Sequence, residues 1–207
     1  MAFLTIAEFI DIIIMVLGVG FIFKDVFQRN IVINPEKEYD PLAQYNEDGI
    51  KLNLRKKTER LVDSPFFIAC LATAPAVIFH ELAHKFTAIA LGVDATFHAS
   101  YFWLAIGVAL KLMNFGFIFF VPGYVTHAAG INPGVDSMIA FAGPFLNLIL
   151  WLGSLLILKT IKVKGKWFIV LQYTKSINMF LFFFNMIPLP PFDGAAVFQG
   201  LFKVLFG

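Results

Sequence analysis

The sequence predicts an all-α polytopic membrane protein with a small β element. The 207 residues are 59% hydrophobic, include 26 phenylalanines and are only 14% charged, whereas soluble domains average about 45–50% apolar and about 25% charged residues. Such a chain cannot be covered by its own polar surface. Its long apolar segments can each cross a hydrocarbon layer of ~30 Å. We therefore expect about four to five transmembrane helices in a single domain that spans residues 1–207.

Charge and cysteine content exclude several classes of protein. The net charge of +2 is too small to indicate a nucleic-acid partner. The single cysteine, Cys70, lies in an apolar segment and excludes an intramolecular disulfide. The first apolar segment follows no basic region and shows no small-residue cleavage site, so we interpret it as a retained span. The lipid bilayer is therefore the expected environment of the chain.

The first apolar segment covers residues 3–23. Glu8 and Asp11 lie near its start, where acidic side chains reach the interface and suit the helix dipole, and we assign them no chemistry. Residues 24–64 differ completely in character, because they contain more than half of the charged residues of the chain. We interpret that stretch as a polar extramembrane loop.

The second apolar segment covers residues 66–92 and contains the motif HELAH at residues 80–84. Ser64-Pro65 precedes it, and this pair suits the N-cap and first position of a helix. Pro75 predicts a kink just before the motif. HELAH is the only cluster of strongly polar side chains in this segment.

The sequence of residues 93–135 leaves two interpretations open. The region either enters the membrane and turns back, or crosses the membrane once. Residues 95–103 alternate weakly and are rich in aromatic side chains, as in a strand. The remainder is interrupted by glycine, proline and lysine, and irregular backbone inside a membrane must be shielded by protein. We favour the re-entrant interpretation, because His80 and Asp193 are candidate ligands of one metal ion. A crossing would place these two residues on opposite sides of the membrane.

Two further apolar segments complete the set of predicted spans. Residues 137–158 contain the sequence AGPFLN and are followed by four lysines. Residues 167–187 are rich in aromatic side chains and lead into NMIPLPPFDG, residues 185–194. The final apolar piece, residues 195–207, is short for a full crossing.

HELAH has the spacing of a zinc-binding helix. Residues four apart lie on one face of an α-helix, so His80 and His84 can bind one metal ion, with Glu81 beside them. Outside such a context, two histidines at this spacing are usually ordinary side chains. Ionisable groups in hydrocarbon are expensive and mark functional sites. The membrane context therefore favours a metal site.

A hydrolytic zinc site needs a third protein ligand and an open position. Asp193 is the best placed candidate, because it follows a helix end and a proline-rich run and precedes a glycine that permits a sharp turn. An aspartate at that position can equally cap the next helix. The other candidates are His98, His127, Asp94 and Asp136.

HELAH, then AGPFLN, then NMIPLPPFDG, in this order, resemble the motifs of the site-2 protease family of intramembrane zinc metalloproteases. The resemblance covers a little over half of the chain, from residue 74 to residue 194. Phe192 stands where the family usually has leucine. The resemblance implies a three-helix zinc-protease core and strands within residues 93–135.

The same resemblance implies specific roles for five residues. His80, His84 and Asp193 would bind zinc, Glu81 would act as the catalytic base, and Asn185 would lie close to the metal. The expected activity is that of a zinc endopeptidase that cleaves transmembrane or membrane-anchored proteins. We expect a multi-pass protein of the cell membrane. A zinc transporter and a catalytically silent zinc-binding scaffold are the alternatives.

Overall fold

The structure, a computed structural model, describes residues 4–31, 64–115 and 121–207. Most of the predicted polar loop at residues 24–64 lies outside the described residues. Six helices and two strands are present in the described ranges. In chain order they are α1 (Ile6–Ile31), α2 (Pro65–Ala90), β1 (Ala95–Ala99), α3 (Tyr101–Leu112), β2 (Gly123–His127), α4 (Pro133–Thr160), α5 (Lys166–Asn185) and α6 (Asp193–Phe206).

Four of these helices are long and apolar enough to cross a membrane. Their spanning parts are Ile6–Val26, Pro65–Ala90, Pro133–Thr160 and Trp167–Asn185. They correspond to the four apolar segments of the sequence. The chain is therefore an all-α polytopic membrane protein with a small β element, as predicted. α6 has only 14 residues, which agrees with the expectation that the final apolar piece is short.

Local sequence determines where the long helices begin. Ser64 precedes α2, and its side chain accepts a hydrogen bond from the Phe67 N–H at 3.2 Å. Asn132 caps α4 by accepting from the Gly134 N–H at 2.8 Å. In both helices a proline follows the cap, where its missing N–H costs no helical hydrogen bond.

Residues 93–135 turn back rather than cross. β1 and β2 pair antiparallel, with Ala95 opposite His127 and Ala99 opposite Gly123, so the two ends of this region lie together. Between them α3 runs beside α1, and Lys111 near its end pairs with Asp25 at 2.6 Å. The predicted return of the chain to the point where this region begins is therefore confirmed, and its entry into the membrane stays a prediction.

The predicted strand at residues 95–103 is wrong at its C-terminal end. β1 ends at Ala99, and Tyr101 already belongs to α3. The aromatic residues that suggested a strand are instead exposed side chains of the helix, namely Tyr101, Phe102 and Trp103. Aromatic richness fails as a strand signal here, because lipid-facing positions of a helix also take aromatic side chains.

The core that positions the site lies between α1, α2 and the hairpin. Met15 and Val19 of α1 pack with Ala74 of α2, Phe97 of β1 and Leu104 of α3, and all five are buried. On the other side α2 packs against α4 and α5, while α6 packs on α4. α2 therefore occupies the centre of the bundle, which is where HELAH lies.

Candidate metal centre

HELAH lies on the C-terminal half of α2, in its interior-facing part. His80 and His84 are each 6% exposed, and their Nε2 atoms are 3.1 Å apart. The spacing of four residues places both imidazoles on one face of the helix, as the sequence predicts. Two nitrogen donors therefore point to one position in the interior of the bundle.

Asp193 completes a group of three donors. Its Oδ2 atom lies 3.0 Å from Nε2 of His80 and 3.4 Å from Nε2 of His84. α6 begins at Asp193, and the carboxylate faces the histidines, so the capping interpretation does not describe its role. Among the described residues, these three form a group that could hold a metal ion.

The protons on the two imidazoles can be assigned from their other hydrogen bonds. His84 Nδ1 lies 2.7 Å from the carbonyl oxygen of Ile139, so Nδ1 carries a proton and donates it. The Asn147 amide donates to Ala76 O at 3.0 Å and to Asn178 Oδ1 at 2.8 Å. Its Oδ1 therefore accepts from His80 Nδ1 at 2.6 Å.

With both Nδ1 atoms protonated, each imidazole in its neutral form turns an Nε2 lone pair towards Asp193. Asp193 Oδ2 is itself buried and lacks a hydrogen-bond partner among the described residues. Three acceptors at this separation repel one another unless a positive charge lies between them. A proton bonds to two of the three, whereas a metal ion satisfies all three at once. The donor set therefore fits zinc, which takes nitrogen and oxygen ligands.

The carboxylate also contributes charge to this arrangement. A carboxyl group binds a metal ion in its ionised form, so Asp193 supplies one negative charge as a ligand. An anionic ligand beside two neutral ones leaves a divalent ion with a net positive charge.

Gly143 of α4 forms the wall opposite the histidines. A Cβ atom at that position would lie 2.3 Å from His84 Nε2 and 2.8 Å from His80 Cε1. Any side chain there would displace the imidazoles. The AGPFLN sequence thus contributes twice, because Gly143 admits the two rings and Asn147 orients His80.

The three donors border a partly open cavity of about 710 Å³. Glu81, which is 9% exposed, and Asn185 also line it. The structure therefore brings together the five residues to which the resemblance gave roles. α1, α2, β2, α4, α5 and the start of α6 all contribute to the cavity wall.

The other candidate ligands are distributed differently. His127 and Asp136 line the same cavity and lie 3.5 Å apart, but neither belongs to the three-donor group. His98 contacts Thr126 at 3.2 Å and stacks near Tyr124, on the hairpin. Asp94 is exposed at the end of the α2–β1 connection.

Sequence reasoning missed the contribution of Asn147. The residue is fully buried and joins α2, α4 and α5 through its side-chain hydrogen bonds. Its position four residues after Gly143 in AGPFLN was visible, and an amide in the middle of a predicted span was the available signal.

Comparison with known proteins identifies a relative. A protein of Methanocaldococcus jannaschii named "Putative zinc metalloprotease MJ0611" is 36% identical over 135 residues, which cover 65% of this chain and 70% of that protein. No family model matches the chain. No solved structure matches it either.

Proposed function

This chain belongs to the zinc metalloprotease family of its Methanocaldococcus jannaschii relative, and from that premise we propose that it hydrolyses peptide bonds within the plane of the membrane. Two buried histidines and a half-buried aspartate, which meet inside a bundle with four helices able to span a membrane, carry this proposal. A protease whose metal ligands are enclosed by spanning helices acts on segments that reach it from the bilayer. We place it in the cell membrane.

We assign the zinc ion to His80, His84 and Asp193. Bound there, zinc would polarise a substrate carbonyl and lower the pKa of a water molecule towards about 7. The protein's contribution is to hold the two imidazoles in one tautomer. Asn147 and the Ile139 carbonyl do so by accepting the two Nδ1 protons.

Glu81 is the general base in this proposal. Its carboxylate lies beside the ligands on α2 and borders the cavity. One carboxylate oxygen takes the proton from the attacking water and then passes it to the leaving amine nitrogen. The same side chain thereby serves both halves of the hydrolysis.

Asn185 stabilises the carbonyl oxygen of the scissile bond. It ends α5 and lines the cavity with Pro191 and Asp193. Its side-chain N–H groups can donate to the oxygen as negative charge develops there. Removal of such a donor from a hydrolase costs roughly 10²–10³ in rate.

The substrate is a membrane segment in extended conformation. A carbonyl inside a helix is already hydrogen-bonded and hidden, so the segment must unwind before water can attack. β2 lines the cavity, and the main chain of a strand can hold an extended peptide by edge pairing. We therefore expect substrates whose transmembrane helices are locally weak.

Two alternatives have less support. A zinc transporter needs polar groups along a path through the membrane, whereas the described metal donors meet at one position. A catalytically silent scaffold would not need an acid beside its ligands, yet Glu81 borders the cavity.

Glu81→Gln tests the function directly. The assay uses the purified protein in lipid nanodiscs, with synthetic transmembrane peptides that carry a central glycine pair, and detects products by mass spectrometry. We expect the variant to retain one zinc per chain and to lose roughly 10²–10⁴ in cleavage rate, the usual contribution of a general base.

The matched control is Asp94→Asn, which makes the same acid-to-amide change at an exposed residue. It should cleave at the rate of the unmodified protein. Undiminished cleavage by Glu81→Gln would remove Glu81 from the mechanism. Cleavage of soluble peptides alone would leave a zinc protease but contradict the intramembrane proposal.

A further inference from the structure

Two acids of α1 occupy the outer edge of β1. Glu8 and Asp11 are three residues apart and therefore share a face of the helix. Glu8 Oε1 accepts from the Phe97 N–H at 2.8 Å, and Asp11 Oδ2 accepts from the Ala99 N–H at 3.1 Å. These are the main-chain donors that point away from β2. The interpretation of both acids as interfacial residues without a role is therefore incomplete.

A buried lysine joins this arrangement to the metal-binding helix. Lys85 follows His84 directly in α2, and its ammonium group forms an ion pair with Glu8. Both side chains are 2% exposed. The second oxygen of Glu8 accepts from the N–H of Thr5 at 2.8 Å and from its hydroxyl at 3.0 Å. One carboxylate thus links α1, α2 and β1.

Stability alone does not account for a buried ion pair here. Well-packed apolar side chains of similar volume often replace such pairs without loss. Ion pairs and charge-assisted hydrogen bonds are directional, however, and they fix geometry as well as distance. The Glu8–Lys85 pair therefore determines where β1 lies relative to the helix that carries HELAH.

The consequence for β2 follows from the strand register. Phe97 and Ala99 direct their N–H groups to α1, so Thr96 and His98 form the hydrogen-bonded pairs with β2. The partners of those two residues are Thr126 and Tyr124. The intervening residues of β2 direct their main-chain groups to its other edge, and they are Gly123, Val125 and His127.

We propose that Glu8, Asp11 and Lys85 are positioning residues for the substrate. They close the outer edge of β1 and hold the hairpin against α1 and α2, which leaves the β2 edge beside the cavity as the one that receives an extended peptide. This inference rests on the proposed function, and it concerns how the substrate is held rather than how the bond is broken.

Asp11→Leu is the principal test, because it removes the acceptor of the Ala99 N–H without leaving a buried charge unpaired. Hydrogen exchange of residues 95–99 should accelerate roughly ten- to a hundredfold, as expected when a hydrogen bond to a charged group is lost. Binding of the glycine-containing transmembrane peptide should weaken about tenfold by the same principle. Zinc content should stay at one ion per chain.

Peptide binding is measured by fluorescence anisotropy in a Glu81→Gln background, so the measurement does not require turnover. Asp25→Leu is the matched control, since it makes the same change on α1 at a residue that pairs with Lys111 of α3. Asp11→Asn keeps one carbonyl oxygen that can accept from Ala99 and should restore most of the affinity.

Three results would overturn the inference. They are unchanged exchange at residues 95–99 in Asp11→Leu, faster exchange with unchanged peptide affinity, and an equal loss of affinity in Asp25→Leu. If the unmodified protein binds the peptide but never cleaves it, the proposed function fails. The exchange and binding measurements still decide the role of the carboxylates in that case.

Discussion

Two buried polar clusters lie next to each other on α2 and differ in one respect. In the cluster of Glu8 and Lys85, every acceptor has a donor: the lysine, the Phe97 N–H and the two Thr5 groups. In the cluster of His80, His84 and Asp193, three acceptors face one another. A buried polar group must be satisfied. The first cluster is complete in itself, and the second is complete only with a cation.

The contrast is useful because the two clusters share the same helix and similar burial. His84 and Lys85 are adjacent in sequence, and both are inside the bundle. Composition alone would class all of them as costly charges in a membrane. The structural cluster differs from the metal site in one way. In the structural cluster the chain itself supplies a partner for every buried polar group, and in the metal site it does not.

Disrupting the cluster of Glu8 and Lys85 should cause the largest loss of unfolding free energy. Glu8→Gln leaves the Lys85 ammonium buried without its counter-ion, and loss of one member of a buried pair costs about 3–5 kcal/mol of unfolding free energy. Denaturant unfolding in detergent measures this loss. The double variant Glu8→Leu/Lys85→Leu removes both charges and should recover most of the stability. A loss below about 1 kcal/mol in Glu8→Gln would mean that the ion pair contributes no more than a surface pair.

Removing zinc should destabilise the protein through the cluster of His80, His84 and Asp193, and not through the cluster of Glu8 and Lys85. Binding to the folded state stabilises a protein by about 2.7 kcal/mol when free ligand is at a hundred times its Kd. Chelation should therefore lower the thermal midpoint, and zinc should restore it. In His84→Ala, which lacks one donor, the midpoint should not respond to zinc. A response of equal size in that variant would place the ion elsewhere.

A smaller effect is expected from the residue that orients a ligand. Asn147→Ala removes the acceptor of the His80 Nδ1 proton but leaves all three donors in place. Loss of such a partner typically costs 10–100-fold in metal affinity, or about 1.4–2.8 kcal/mol. Competition with a chromogenic zinc chelator measures it. Asn178→Ala is the milder comparison, because Asn178 contacts Asn147 rather than the imidazole.

Much of the site could be predicted because its signals are local. The spacing of His80 and His84 specifies one helix face, and that spacing needs no tertiary information. Asp193 could be proposed because its position after the proline-rich run limits where the chain can go. The four spans could be predicted for the same reason, because the length and hydropathy of each segment identify it without tertiary information.

The residues that were missed act through contacts that sequence does not encode locally. Glu8 was interpreted as an interfacial acid because its partner, Lys85, lies in a different helix. Asn147 was similarly ambiguous, because its hydrogen bonds reach two other helices. The end of β1 was mispredicted since exposed aromatic residues suit both a strand and a lipid-facing helix.

The division of the three donors between α2 and the start of α6 bears on biosynthesis. His80 and His84 enter the membrane with the second span, whereas Asp193 follows the fourth. A nascent chain that has inserted only its first three spans carries HELAH without its third ligand. The order of synthesis therefore delays the assembly of the complete donor set until nearly the whole described chain is in place.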